Sequence, residues 1–73
     1  MRERDTPVPV EEGEQYVFDV EEMGREGDGV GYVQDFAVLV PGADMGDQVR
    51  VEIERVEPEF AMATVLEHET DLA

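Results

Sequence analysis

Apolar and polar residues alternate with a period of two through the central part of this chain, the spacing that turns successive side chains to opposite faces of a strand. Tyr16, Phe18 and Val20 alternate with Val17, Asp19 and Glu21, which predicts a first strand with its aromatic side inward. Val49, Val51 and Ile53 alternate with Arg50, Glu52 and Glu54 and predict a fourth. Between them lie two shorter stretches, Gly29 to Val33 and Phe36 to Val40. The latter is apolar throughout, as expected of a strand near the middle of a small closed sheet. Phe60 to Glu67 completes the series, with small Ala61 and Ala63 where interior space is tight. No segment follows the helical period.

The punctuation agrees with strands. Gly24, Gly27, Gly29 and Gly31 fall close together and predict a turn-rich loop over Gly24 to Gly29. Gln34-Asp35 sits between two apolar runs, the place of a tight hairpin, yet lacks the glycine such turns prefer. Pro41-Gly42 stops the third strand, Ala43 to Asp47 is a loop, and Glu57-Pro58-Glu59 is the last turn. Five short strands without a helix are expected to close into an all-β fold, a small five-stranded β-barrel of the OB-like or SH3-like kind. Closure removes the two adhesive edges of an open sheet. The domain is expected over residues 14–67. A flexible arm, 1–13, docks Val8 and Val10 at its edge, and a flexible tail covers 68–73.

Composition sharpens this picture. At 73 residues the chain is one domain, and a chain this short buries only about 60% of its unfolded surface. There is no cysteine, hence no disulfide and no thiolate metal site. Asp and Glu number 20 against 5 Lys plus Arg, all arginine, for a net charge of −15. The simplest consequence is repulsion from nucleic acids and membranes. The acids are spread along the whole chain, however, not gathered in a tail. That spread favours adaptation to a halophile's cytosol, where at ~1 M salt the Debye length is about 3 Å. The longest apolar run is far below the ~20 residues that span a bilayer. Met1 to Val10 lacks the apolar stretch of a secretory signal. A cytoplasmic protein without a membrane partner is expected.

Catalytic chemistry has no foothold. The chain holds neither serine nor cysteine, and His68 stands alone among scattered carboxylates. A catalytic carboxylate pair needs a pocket that splits two pKa values, and nothing singles out such a pair. Gly27-x-Gly29-x-Gly31 is superficially like a dinucleotide loop, but that loop must open a helix, and none follows. The glycines are expected to serve positive φ in the loop and close strand approach at Gly29 and Gly31. No enzyme, cofactor or metal is expected.

The order of motifs carries a resemblance. Tyr16-x-Phe18-x-Val20, then Gly24-Arg25-Glu26-Gly27-Asp28-Gly29-Val30-Gly31, then Phe36-Ala37-Val38-Leu39-Val40-Pro41-Gly42-Ala43, then Gly46-Asp47-x-Val49-x-Val51-x-Ile53-x-x-Val56, then Phe60-Ala61-x-Ala63 closely resembles a TRAM domain. The resemblance implies a small OB-like barrel that binds RNA. As the stand-alone archaeal type, it would act as an RNA chaperone of low sequence specificity, in a cold-shock-like role. Partners so implied are single-stranded regions of tRNA, rRNA or mRNA, and ribosomal or RNA-modification proteins, with the chain itself a monomer. Where many TRAM domains carry basic residues, this chain has Gln48, Glu52 and Glu59, and Leu39 stands where an aromatic is common.

Six residues are therefore candidates for RNA contact. Tyr32, Phe36 and Phe60 would stack bases or else cover a barrel mouth. Tyr32 and Phe36 flank the Gln34-Asp35 turn and are expected to share an outward face. Arg25 lies exposed among glycines. Arg50 and Arg55 lie on the fourth strand, an odd number apart, and are expected on opposite faces. These arginines would hold phosphates or stack, or Arg50 would pair with neighbouring Glu52 and Glu54. The alternative function is an acidic protein-interaction module docking on basic ribosomal or RNA-modification proteins.

Overall fold

The computed structural model describes residues 8–69. The remainder of the expected arm and tail, 1–7 and 70–73, lies outside the described residues. Six strands follow one another: β1 (Gln15–Asp19), β2 (Glu22–Met23), β3 (Gly29–Val33), β4 (Phe36–Val40), β5 (Gln48–Val56) and β6 (Phe60–His68). They form one mixed sheet in the order β1-β5-β6-β4-β3-β2, with β4 and β6 parallel and all other pairs antiparallel.

The expected count of five is corrected to six, and the reason is a bend. The first apolar stretch pairs with β5 as far as Asp19 and then turns away to pair with β3 through Glu22 and Met23. Val20 is the pivot. Its N–H donates to Asp47 O (2.8 Å) and its carbonyl accepts from Gly46 N (2.9 Å), while Glu21 N donates to Val30 O (2.8 Å). The two end strands of the sheet are thus consecutive in the chain, and the sheet curls into a barrel-like shape around them.

Inside the curl sit Val10, Phe18, Val20, Val38, Val40, Ala43, Val49, Val51, Ile53, Ala61 and Ala63, all buried. Burying one such valine or isoleucine is worth roughly 1.5–3 kcal/mol, so a valine-rich core of this size is adequate though thin. Ala61 and Ala63 fill the narrow interior as the sequence predicts. Val10, placed by the sequence in the arm, is 1% exposed. The chain behind it is tied to β5 by Gly13 N to Ile53 O (2.8 Å) and Ile53 N to Glu14 O (2.9 Å).

Two glycines answer to packing, as their spacing predicts. A methyl group at Gly29 would lie 2.9 Å from both Ala43 O and Val20 Cγ1, and one at Gly31 would overlap the Phe18 ring. The curl closes because β3 offers bare backbone to β1.

The β3–β4 hairpin turns through Gln34 (φ 51°) and Asp35 (φ 71°). Positive φ at both central residues is the mark of a type I′ turn, in which Asn-Gly is preferred. An L side chain in the left-handed region costs roughly 1–2 kcal/mol. Replacing Gln34→Asn with Asp35→Gly is expected to raise stability by about 1 kcal/mol, read as a higher urea midpoint.

Candidate nucleic-acid interface

Register assigns the side chains to faces, since directly paired residues project to the same side of a sheet. Across the outward face one row runs Arg55–Met62–Leu39–Val30–Glu22, each residue paired with the next. A second runs Phe60–Ala37–Tyr32. Neither Tyr32, Phe60, Met62 nor Leu39 belongs to the core cluster, and all four are half-buried. Strands lie about 4.7–4.9 Å apart, so Phe60 and Tyr32 stand about 10 Å apart with small Ala37 between them. The result is an apolar and aromatic outward surface on an otherwise acidic protein.

Three of the six candidate residues stand in these rows, Tyr32, Phe60 and Arg55, while Arg50 projects outward opposite Glu67, further along β6. Phe36 does neither. It pairs with Val33 and packs against the core, whereas Tyr32 pairs with Ala37. Tyr32 and Phe36 therefore occupy opposite faces, because the two-residue turn places Val33, not Tyr32, opposite Phe36. Arg25 lies in the β2–β3 loop, shaped by Gly24 N to Asp28 O (2.7 Å) and Gly27 N to Gly24 O (3.0 Å). It is exposed, beside the end of the outward rows, and makes no ion pair among the described residues.

The expectation that Arg50 and Arg55 point to opposite faces is corrected as well. Glu54 is an extra residue in β5, between the pairs Ile53–Ala63 and Arg55–Met62. This bulge resets the alternation, so that Val56 turns to the core and Arg55 joins Arg50 outside. Leu66 is the corresponding extra residue in β6, between the pairs Val51–Val65 and Arg50–Glu67.

Arg50 pairs with Glu69 (Nε to Oε2, 3.1 Å), not with Glu52 or Glu54, because β5–β6 pairing carries the end of β6 alongside it. Arg55 pairs with Glu57 (Nε to Oε2, 2.8 Å) across the start of the β5–β6 turn. Exposed pairs of this kind are worth about 0–1 kcal/mol, little enough for an incoming phosphate to replace the carboxylate. Thr64 donates its hydroxyl to the Glu54 carboxylate. A cleft of about 220 Å³ opens beside it, lined by Glu54, Arg55 and Met62.

Tyr32 donates its phenol to Glu22 Oε1 at 3.1 Å. That hydrogen bond, with burial and the charges of Glu22 and Glu21, holds the phenol above its ordinary value. The bond's contribution to stability is thus complete below the phenol's ordinary range and is lost as pH rises through the raised value. Ultraviolet titration of a Tyr16→Phe variant, which leaves Tyr32 as the reporter, is expected to give a midpoint above about 10, falling back when Glu22→Gln is added.

Met62 and Leu39 were missed as outward-facing residues, and Val30, on the same side of the sheet, is covered and only 6% exposed. A signal existed for Met62. Phe60-Ala61-Met62-Ala63 alternates large with small, and the small residues take the tight interior, so the large ones must face out. Leu39 carried no such mark, because an unbroken apolar run does not reveal which side is outside. Among the described residues no group of three or more His, Asp or Glu side chains could hold a metal ion, and no helix is long and apolar enough to cross a membrane.

The curled mixed sheet of six strands, with aromatic rows on its outward side, defines a class, the small all-β barrel-like domain. The TRAM domain family matches residues 9–66, and the chain belongs to that family. It is 48% identical over 56 residues to an uncharacterized protein of Methanocaldococcus jannaschii, covering 77% of this chain and 73% of the relative. It is also similar to ribosomal RNA large subunit methyltransferase E of Methanothrix thermoacetophila, 44% identical over 82% of this chain but only 24% of that enzyme. The same methyltransferase of Halorubrum lacusprofundi is 43% identical over 78% of this chain and 21% of the enzyme. The match thus spans about a quarter of each methyltransferase. The solution structure of a conserved protein of Methanococcus maripaludis superposes with a TM-score of 0.79 at 38% identity, covering 84% of this chain and 87% of that one.

Proposed function

We propose that this protein is a non-catalytic RNA-binding module that takes single-stranded RNA on the outward face of β6, β4 and β3. Tyr32 and Phe60 stack bases, Arg55, Arg50 and Arg25 meet phosphates or sugars at the borders, and Phe36 supports the fold beneath. The observation that carries this reading is the pair of outward rows, Phe60–Ala37–Tyr32 and Arg55–Met62–Leu39–Val30–Glu22, in a member of the TRAM family. Stacking and hydrogen bonding suit a protein of net charge −15, since phosphate contacts lose affinity steeply as salt rises. Its role is that of an RNA chaperone without ATP in the cytoplasm. Preferential binding to open strands shifts RNA away from misfolded pairings by mass action.

Fluorescence anisotropy of a labelled single strand and of its duplex, in molar KCl, tests this reading. Binding to the single strand alone is expected. Equal binding to the duplex would exclude the chaperone role, and binding to neither would exclude the RNA reading.

The dispersed acids support a second proposal, adaptation to a salt-rich cytosol. Self-repulsion grows as screening falls. The melting temperature is therefore expected to rise from dilute buffer to molar KCl, and a flat profile would count against the adaptation. The same charge favours one alternative function, an acidic module docked on basic ribosomal or RNA-modification proteins. Partners retained after ribonuclease treatment of a cell extract would favour that alternative.

A further inference from the structure

The cleft between β5 and β6 is chemically unlike the rest of the outward face. It is lined by Met62, by Glu54 and by Arg55, which is anchored through Nε to Glu57. Glu54 is the bulge residue of β5, between the pairs Ile53–Ala63 and Arg55–Met62. The Thr64 hydroxyl engages Oε2 of Glu54, orienting the carboxylate. A strand-borne carboxylate within a proposed RNA-binding face is costly against a phosphate and useful against a base.

We infer that this cleft is a nucleobase subsite that selects guanine, with Glu54 as the specificity-determining residue. The inference rests on the RNA-binding reading above. An ionised carboxylate is acceptor-only. Guanine alone among the four RNA bases presents two adjacent N–H donors, N1–H and the N2 amine, on its pairing edge. Adenine and cytosine each place a ring-nitrogen acceptor beside their amine, and uracil flanks its one N–H with two carbonyls, so each would set an acceptor against Glu54. The base plane lies on Met62, whose polarizable sulfur favours aromatic contact. Arg55 at the rim meets the nucleotide's phosphate. A volume of about 220 Å³ admits one base and not a pair.

The test compares three short labelled RNAs by anisotropy: oligouridine, the same strand with one central guanosine, and the same strand with inosine there, which lacks the N2 amine. The guanosine strand is expected to bind about tenfold more tightly than oligouridine, as a bidentate base contact warrants, with inosine intermediate. In Glu54→Gln the guanosine-to-uridine affinity ratio is expected to fall to near one. Thr64→Val, which frees the carboxylate, is expected to reduce the ratio partially. Measurable but equal binding of guanosine and uridine strands would overturn the subsite and leave the RNA reading standing. A preference that persists in Glu54→Gln would overturn the role of Glu54. Failure of all three strands to bind would overturn the RNA reading itself, and the subsite with it.

Discussion

Replacing both Tyr32 and Phe60 by alanine is expected to lower affinity for single-stranded RNA by roughly two orders of magnitude, leaving the fold nearly as stable as before. Each base stacked on an aromatic ring is worth roughly 1–3 kcal/mol, and about 1.4 kcal/mol is a factor of ten. Loss of two stacks at the lower half of that range gives the stated effect. Stability should change little because neither ring belongs to the core cluster. Phe36→Ala supplies the contrast. That ring packs on the core and is only half-buried, so its removal should cost about 2 kcal/mol of stability, less than the 3–5 of a fully buried ring. Its direct effect on RNA affinity should be small where the protein stays folded. Anisotropy and urea unfolding on the same variants check both halves. If Phe36→Ala lost more RNA affinity than the double variant while remaining folded, the outward face would be the wrong face.

Gly31→Ala is expected to be the most damaging single substitution to the fold. The added methyl would overlap the Phe18 ring, and Phe18 is itself part of the buried core. Overpacking costs typically about 1–3 kcal/mol and occasionally more. The upper end applies here because the contact closes the curl between β1 and β3. At about 4–8 °C per kcal/mol for a domain of this size, the melting temperature should fall by more than about 10 °C. A double-mutant cycle with Phe18→Leu isolates the cause: the penalty at Gly31 should shrink when the ring is gone. An unchanged penalty would place the damage in the backbone and not in this contact.

How much of this was written in the chain can be judged element by element. Strands β1, β3, β4, β5 and β6 are legible because period-two alternation and Gly or Pro punctuation are local, and the structure returns them within a residue or two at most ends. The interior alanines of β6 and the close approach at Gly29 and Gly31 follow from side-chain size alone. Strand β2 is not legible. Two residues, Glu22 and Met23, show no periodicity, and they are a strand only because the bend at Val20 lays them against β3. Nor could the sequence show that Ala43 and Val10 are core, since the loop and the arm that carry them are placed by the curl.

The candidate site divides in the same way. Residue type selected Tyr32, Phe60 and the arginines, for only aromatic rings and guanidinium groups suit stacking and phosphate contact. Which face they occupy was decided by register. The turn at Gln34-Asp35 sets Tyr32 against Ala37 and sends Phe36 inward, and the bulge at Glu54 turns Arg55 to the same outward side as Arg50. A shift of one residue inverts every side chain beyond it, and a bulge is invisible to a period read from sequence. The all-β class, five of the six strands and the kinds of side chain available follow from the local residue pattern. The tertiary structure alone decided which of those side chains share a surface, because faces are fixed by hydrogen-bonded partners distant in the chain.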